Sequence, residues 1–352
     1  MSTPVEISSV AGNDAKFQPR LVPQGSQAIR RILVCVDHSP FSEICLRFGV
    51  AISRRLDVPI TLLHVMQPSA ERSGAQETDA LDWEIGRQEA GAYLEVLEKK
   101  GAKASGRDVE TRLEQGNPAE RIAAVAREVG ADLTVLGSKG EHSASQRNLG
   151  STAQEVLESG RGSVLVVRSD STTLDDVPFK RILVALDGSV RAESVLPTAV
   201  RIAGTHDAEL LLVLVVQEPV ATAVLSSPDD IEAARAVASR AEVNAKAYLD
   251  GLRDMLVREG TSVRTVVLRS GDERHSLFEA SQRERSDLVV LSAHGSTCNP
   301  NLTAGSVAVY LLAHSTVPLL VLQDLRDSEL RGREDVEREK APPPRGQHPE
   351  GG

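Results

Sequence analysis

Gly137-Ser138-Lys139-Gly140 is followed, after nine residues, by Gly150-Ser151-Thr152, giving the pattern G-x2-G-x9-G-S. Glycines let a backbone approach a ligand closely and adopt conformations that side chains forbid. A helix opening at Gly150 offers unpaired N–H groups and the positive end of its dipole, which suits a phosphate. Ser151 and Thr152 add hydroxyl donors, and Lys139, His142 and Arg147 lie in the same loop. These three could neutralise phosphate charge or simply be solvated loop charges. The set is equipped to hold a phosphate rather than to break a bond, because no residue beside it is an evident general base. A glycine-rich loop with ordinary helix caps and no ligand has the same composition. Its place after an apolar strand and before a helix favours the ligand.

The elements that position this loop occur twice. Arg31-Ile32-Leu33-Val34-Cys35-Val36-Asp37-His38-Ser39 returns as Arg181-Ile182-Leu183-Val184-Ala185-Leu186-Asp187-Gly188-Ser189. Asp132-Leu133-Thr134-Val135-Leu136 returns as Asp287-Leu288-Val289-Val290-Leu291, and Gly150-Ser151 as Gly305-Ser306. A spacing of about 150 residues is a whole domain and excludes a short-period solenoid. Each copy reads as five strands alternating with helices, which predicts parallel strands with right-handed crossovers and helices on both faces. In copy one the strands are expected at 31–36, 60–65, 109–113, 133–137 and 163–168. Helices are expected from about Ser39 to Leu56, from about Asp79 to Lys99, from Pro118 and from Ser151, on apolar stripes such as Ile44, Phe48, Ala51 and Ile52. Asn117-Pro118-Ala119-Glu120 carries an N-cap, a proline at the first position and an acid in the first turn. In copy two the long helix opens at Ser227-Pro228, with a stripe running from Ile231 through Ala238, Ala245 and Leu252 to Met255.

Composition narrows the function classes. Aromatic residues are 3% of the 352, so the core must come from Val, Leu, Ile and Ala, as in buried parallel strands. The net charge of −10 argues against nucleic acid as a partner, since phosphate neutralisation there needs clustered Lys and Arg. Three cysteines, Cys35, Cys45 and Cys298, form no C-x-x-C pair, so neither a disulfide framework nor a metal site is expected, and a reducing cytoplasm is. No apolar leader is visible in the first twenty residues, and the apolar run Leu210–Val216 is strand length, so no membrane association is expected. The expected organisation is a disordered segment 1–27, domain 28–169, a linker 170–178, domain 179–325 and a disordered tail 326–352. The motifs of P-loop ATPases, dinucleotide dehydrogenases, zinc proteases and receiver domains are all missing from the places where those chemistries need them.

With these residues in hand, both copies together resemble the ATP-binding universal stress proteins. The resemblance implies an α/β fold of two tandem Rossmann-like domains, each a five-stranded parallel sheet of order 3-2-1-4-5. Strand one then neighbours strand four at the switch point, where such sheets bind ligands. By position it implies that Asp37 accepts from the adenine, Val65 contacts it, Gly137 lies by the ribose, and Gly140, Gly150, Ser151 and Thr152 hold the phosphates. Asp37 could equally cap the following helix, and Val65 could be plain core. In copy two the matching residues are Asp187, Val215, Ser292, Gly295, Gly305, Ser306 and Val307. Ser292 stands for a glycine, Val307 for a threonine, and the loop has no Lys or Arg, so weaker binding is expected there. The implied cofactor is ATP, with Mg an open addition. The implied function is a nucleotide-dependent signalling or protective module. A slow ATP-hydrolysing enzyme and a scaffold with vestigial loops remain alternatives. The fifth strands, 163–168 and 318–323, are apolar sheet edges that need covering. They are expected to meet within the chain as a pseudo-dimer, and two chains could dimerise further.

Overall fold

The computed structural model describes residues 29–39, 41–67, 80–138, 149–159, 162–168, 179–204, 207–218, 228–296 and 304–323. The expected disordered ends, the linker, Lys139, Gly140, His142, Arg147 and Cys298 lie outside the described residues. In chain order copy one comprises β1 (Ile32–Val36), α1 (Phe41–Leu56), β2 (Ile60–Met66), α2 (Ala80–Ser105), β3 (Val109–Gln115), α3 (Pro118–Val129), β4 (Leu133–Gly137), α4 (Ser151–Glu158) and β5 (Ser163–Val167). Copy two comprises β6 (Arg181–Leu186), α5 (Val190–Glu193), α6 (Leu196–Ala203), β7 (Glu209–Gln217), α7 (Pro228–Arg258), β8 (Val263–Ser270), α8 (Glu273–Arg283), β9 (Leu288–Ser292), α9 (Ser306–His314) and β10 (Leu319–Leu322).

The ten strands among the described residues form one sheet of order β3-β2-β1-β4-β5-β10-β9-β6-β7-β8, in which each half has the order 3-2-1-4-5. Every pairing is parallel except that of β5 with β10, which is antiparallel with Leu165 opposite Leu320. The central strands are buried on both faces and therefore read as unbroken apolar runs, as in Leu210–Val213. The outer strands β3 and β8 carry Glu110, Arg112, Arg264 and Arg269, charges that keep an open edge from recruiting another strand.

One face of the sheet is covered by α1, α2, α6 and α7, and the other by α3, α4, α8 and α9, each over a core that runs through both copies. Phe48 of α1 packs 5.8 Å from Phe179, which leads into β6. Two arginines cross the seam to helix ends: buried Arg168 donates to the carbonyl of Leu312 in α9 at 3.2 Å, and Arg201 of α6 to that of Leu56 in α1 at 3.0 Å. A cation at a helix C-terminus meets unpaired carbonyls and the negative dipole end.

Two helices depart from the expected pattern. α2 does not stop near Lys99 but runs to Ser105, because Gly101 is a close-packing position and not a terminator. A Cβ there would lie 3.2 Å from Leu46 Cδ1. The chain turns instead at Gly106, whose φ of +73° is left-handed. In copy two the first helix is split into α5 and α6. Pro197 lacks an N–H, and its ring crowds the carbonyl four residues back, at Glu193, where α5 ends.

Candidate functional site

β1 and β4 are adjacent, with Val34 beside Val135, so Asp37 and Gly137 emerge side by side at the carboxyl edge of the sheet. Asp37 Oδ1 accepts the Ser39 N–H at 3.0 Å and the Ser42 hydroxyl at 2.8 Å, and the Ser39 hydroxyl also donates to it. Asp37 thus organises the entry to α1, as the capping alternative required. Its backbone is fixed too, for Tyr93 of α2 donates its hydroxyl to the Asp37 carbonyl at 2.7 Å. The Tyr93 and His38 rings lie 4.5 Å apart, and His64 meets His38 edge-on at 5.1 Å. Val65 is half-buried against the core on the α3 face. Burial, with Asp37 nearby, pushes the Cys35 and Cys45 thiols far up, so neither is a reactive thiolate.

After β4, the Ser138 N–H donates to the Val167 carbonyl and the Gly150 N–H to the Ser138 carbonyl, each at 2.8 Å. The N-terminus of α4 is thereby held against the ends of β4 and β5. Gly150 is its N-cap, extended at φ −65° and ψ 152°, and no side chain caps it. Ser151 is exposed and Thr152 half-buried. The contrast with other helices is informative. Asn117 caps α3, Ser189 caps α5 and Asp272 caps α8 through their own side chains. In copy two, Gly305 likewise begins α9 without a side-chain cap. The two helices that follow the glycine-bearing segments, α4 and α9, thus start at a glycine with no side-chain cap; α6, which starts after Val195, also lacks one.

Copy two has the same frame and different contents. The Ala293 N–H donates to Leu322 at 2.8 Å and the Gly305 N–H to Ala293 at 2.7 Å. Ser292 is buried, and its hydroxyl donates to the His294 carbonyl at 2.5 Å, so it faces the turn. Val215 and Val307 are partly buried against the core. Asp187 accepts N–H groups from Ser189 at 2.9 Å and from Ser296 at 2.5 Å. Glu193 is buried and accepts the Tyr248 hydroxyl at 2.9 Å. Glu273, at the start of α8, has its carboxyl pushed up by burial and then by the neighbouring Asp187 and Asp272.

Sequence reasoning brought Asp37, Val65, Gly137, Gly150, Ser151 and Thr152 to one edge, and their counterparts Asp187, Val215, Ser292, Gly295, Gly305, Ser306 and Val307 to the other. It missed Ser42, Tyr93 and His64, and in copy two Glu193, Tyr248 and Glu273. One signal was available: Tyr93-Leu94 recurs as Tyr248-Leu249 in the repeat. It also missed that the Ser138 hydroxyl is buried with no hydrogen-bond partner among the described residues.

Known proteins share this architecture. A protein of Staphylococcus aureus (strain USA300), assigned to the universal stress proteins, is 30% identical over 150 residues, covering 42% of this chain and 90% of its own length. The crystal structure of a universal stress protein from Archaeoglobus fulgidus DSM 4304 superimposes with a TM-score of 0.59 at 18% identity, over 84% of this chain and 97% of that one. A functionally unknown protein from Pseudomonas aeruginosa PAO1 gives 0.59 at 16% identity, over 89% and 98%. At these identities the two structures speak for the fold alone. Among the described residues no helix is long and apolar enough to cross a membrane. Residues 28–168 and 178–323 each match the Universal stress protein family, and the chain belongs to that family, carrying it twice.

Proposed function

We propose that copy one binds ATP and that the protein acts as a nucleotide-dependent signalling or protective module of the stress response in the cytoplasm. The observation that carries this reading is the bare N-terminus of α4. Gly150 provides no side-chain cap, and the helix start is tied by Ser138 to the strand ends beside Asp37. Unpaired first-turn N–H groups and the helix dipole together favour a bound anion. Gly150, Ser151 and Thr152 would hold the phosphates, with Gly137 and Gly140 giving backbone clearance and Asp37 and Val65 facing the base. ATP, with Mg where it accompanies the phosphates, supplies the charge that these donors answer. Binding is favoured over turnover, because the Asp37 carboxylate is engaged by Ser39 and Ser42. The binding units are 28–169 and 179–325. Pairing of β5 with β10 covers within one chain the edges that would otherwise call for a second chain. Free Cys35 and Cys45 suit a reducing compartment.

Copy two is the weaker site. It lacks the Thr152 hydroxyl and the loop cations, and it gathers Asp187 and Glu273 where phosphates would arrive. A hydrogen bond to a charged phosphate contributes about 1.5–3 kcal/mol, so loss of one alone weakens binding about tenfold or more. The test is a mass spectrum of small molecules released on denaturing the purified chain, with a turnover assay beside it. ATP released intact supports the reading. Protein free of nucleotide and indifferent to added ATP would mark the loops as vestigial, and rapid release of ADP and phosphate would mark an enzyme.

A further inference from the structure

We propose that copy two is held closed by its own acid: the Asp187 carboxylate takes the place on the Gly295–Ser296 loop that a ligand's anionic group would take. Copy two then accepts a polyphosphate only when that contact is broken. The inference rests on the reading of the glycine loops as phosphate sites, and gives Asp187 a role opposite to the one the family resemblance implies.

Asp187 bridges two segments. Its Oδ1 accepts the Ser189 N–H on its own turn at 2.9 Å, and its Oδ2 accepts the Ser296 N–H at 2.5 Å, across from β6 to the loop after β9. Hydrogen bonds from backbone N–H groups to a carboxylate are short and strong because the acceptor is charged. The contact requires glycine at 295, where an added Cβ would stand 2.5 Å from Asp187 Oδ2. The described ends of the loop are fixed by their own contacts. The Ser292 hydroxyl closes onto the His294 carbonyl, and the Gly305 N–H onto that of Ala293. An amide that would greet a phosphate is therefore already satisfied by an internal anion. Glu273 strengthens the exclusion, since copy one has Pro118 at the corresponding place. An arriving polyphosphate would meet two carboxylates of its own sign.

The test uses the full chain. Gly150→Val removes the copy-one cradle by placing a branched side chain where phosphate must approach, and Asp187→Ala is added to it. Titration with inorganic tripolyphosphate should show the double variant binding about tenfold or more tightly than Gly150→Val alone, the gain of roughly one charge-assisted bond. Asp187→Asn, which keeps the side-chain shape and removes the charge, should move affinity the same way should the alanine variant fold poorly. A second readout needs no ligand. Hydrogen exchange at the Ser296 amide, followed by NMR, should accelerate about tenfold or more in Asp187→Ala, as an amide loses a strong acceptor, and stay unchanged in Asp37→Ala. Unchanged or weaker tripolyphosphate binding, or unchanged exchange at Ser296, overturns the proposal. Failure of copy one to bind ATP would instead show on titrating the wild-type chain with ATP, and would leave the Ser296 readout standing.

Discussion

Leu165→Ala would show whether the two copies fold as one body. Leu165 is fully buried in β5, faces fully buried Leu320 of β10 across the antiparallel seam, and belongs to a core drawn from both copies. Truncating a buried leucine costs the lost transfer energy plus that of the cavity, about 2–5 kcal/mol in all. Hydrogen-bonded strands on both sides resist collapse here, so about 3 kcal/mol is expected. With a urea slope of about 3 kcal/mol per molar for a chain of this size, the midpoint should fall by roughly 1 M with the slope unchanged. Two probes separate the copies. Trp83 is the chain's one tryptophan and lies in α2 of copy one, while circular dichroism reports helices of both. Both signals should move together in a single transition. A fluorescence transition that shifts while half of the helical signal stays in place would refute the reasoning.

Other perturbations address smaller claims. Gly49→Ala should destabilise despite alanine's advantage of about 1 kcal/mol within a helix. The new Cβ would lie 2.5 Å from Val34 Cγ2, and overpacking costs about 1–3 kcal/mol; a net gain in denaturation midpoint would contradict this. Glu273→Gln tests the acidic mouth of copy two through pH. Because the fold raises the Glu273 carboxyl above its ordinary value, its ionised form is penalised in the native state. That penalty is absent below about pH 4, the ordinary glutamate range, and is present once pH has risen through the folded value. The variant should therefore melt higher than wild type at neutral pH and no higher in acid. An equal gain at both pH values would count against it.

The sequence made the sheet legible because buried parallel strands must be apolar throughout, and β4 is found where Leu133–Gly137 predicted it. The repeat then placed Asp187 and Gly305 by analogy with Asp37 and Gly150. Helix ends were harder. Gly101 reads as a terminator along the chain, yet in the fold it is the point where α2 touches Leu46 and Val109. The break at Pro197 was hidden by the repeat itself, since copy one has Arg47 there and a continuous helix. Glu273 escaped notice for another reason. It is far from Asp187 in sequence, and the influence of Asp187 on it exists only once β6 and α8 share one end of the sheet. The Ser292 hydroxyl turns inward to the His294 carbonyl, a contact that no spacing rule announces.

The central claim is that the nucleotide site of this chain lies at the start of α4. Calorimetric titration of the full chain with ATP, repeated on Gly150→Val and on Gly305→Val, tests it most directly. One ATP should bind per chain, binding should vanish in Gly150→Val, and it should survive in Gly305→Val. ATP binding that persists undiminished in folded Gly150→Val, or that is lost in Gly305→Val, would contradict the account.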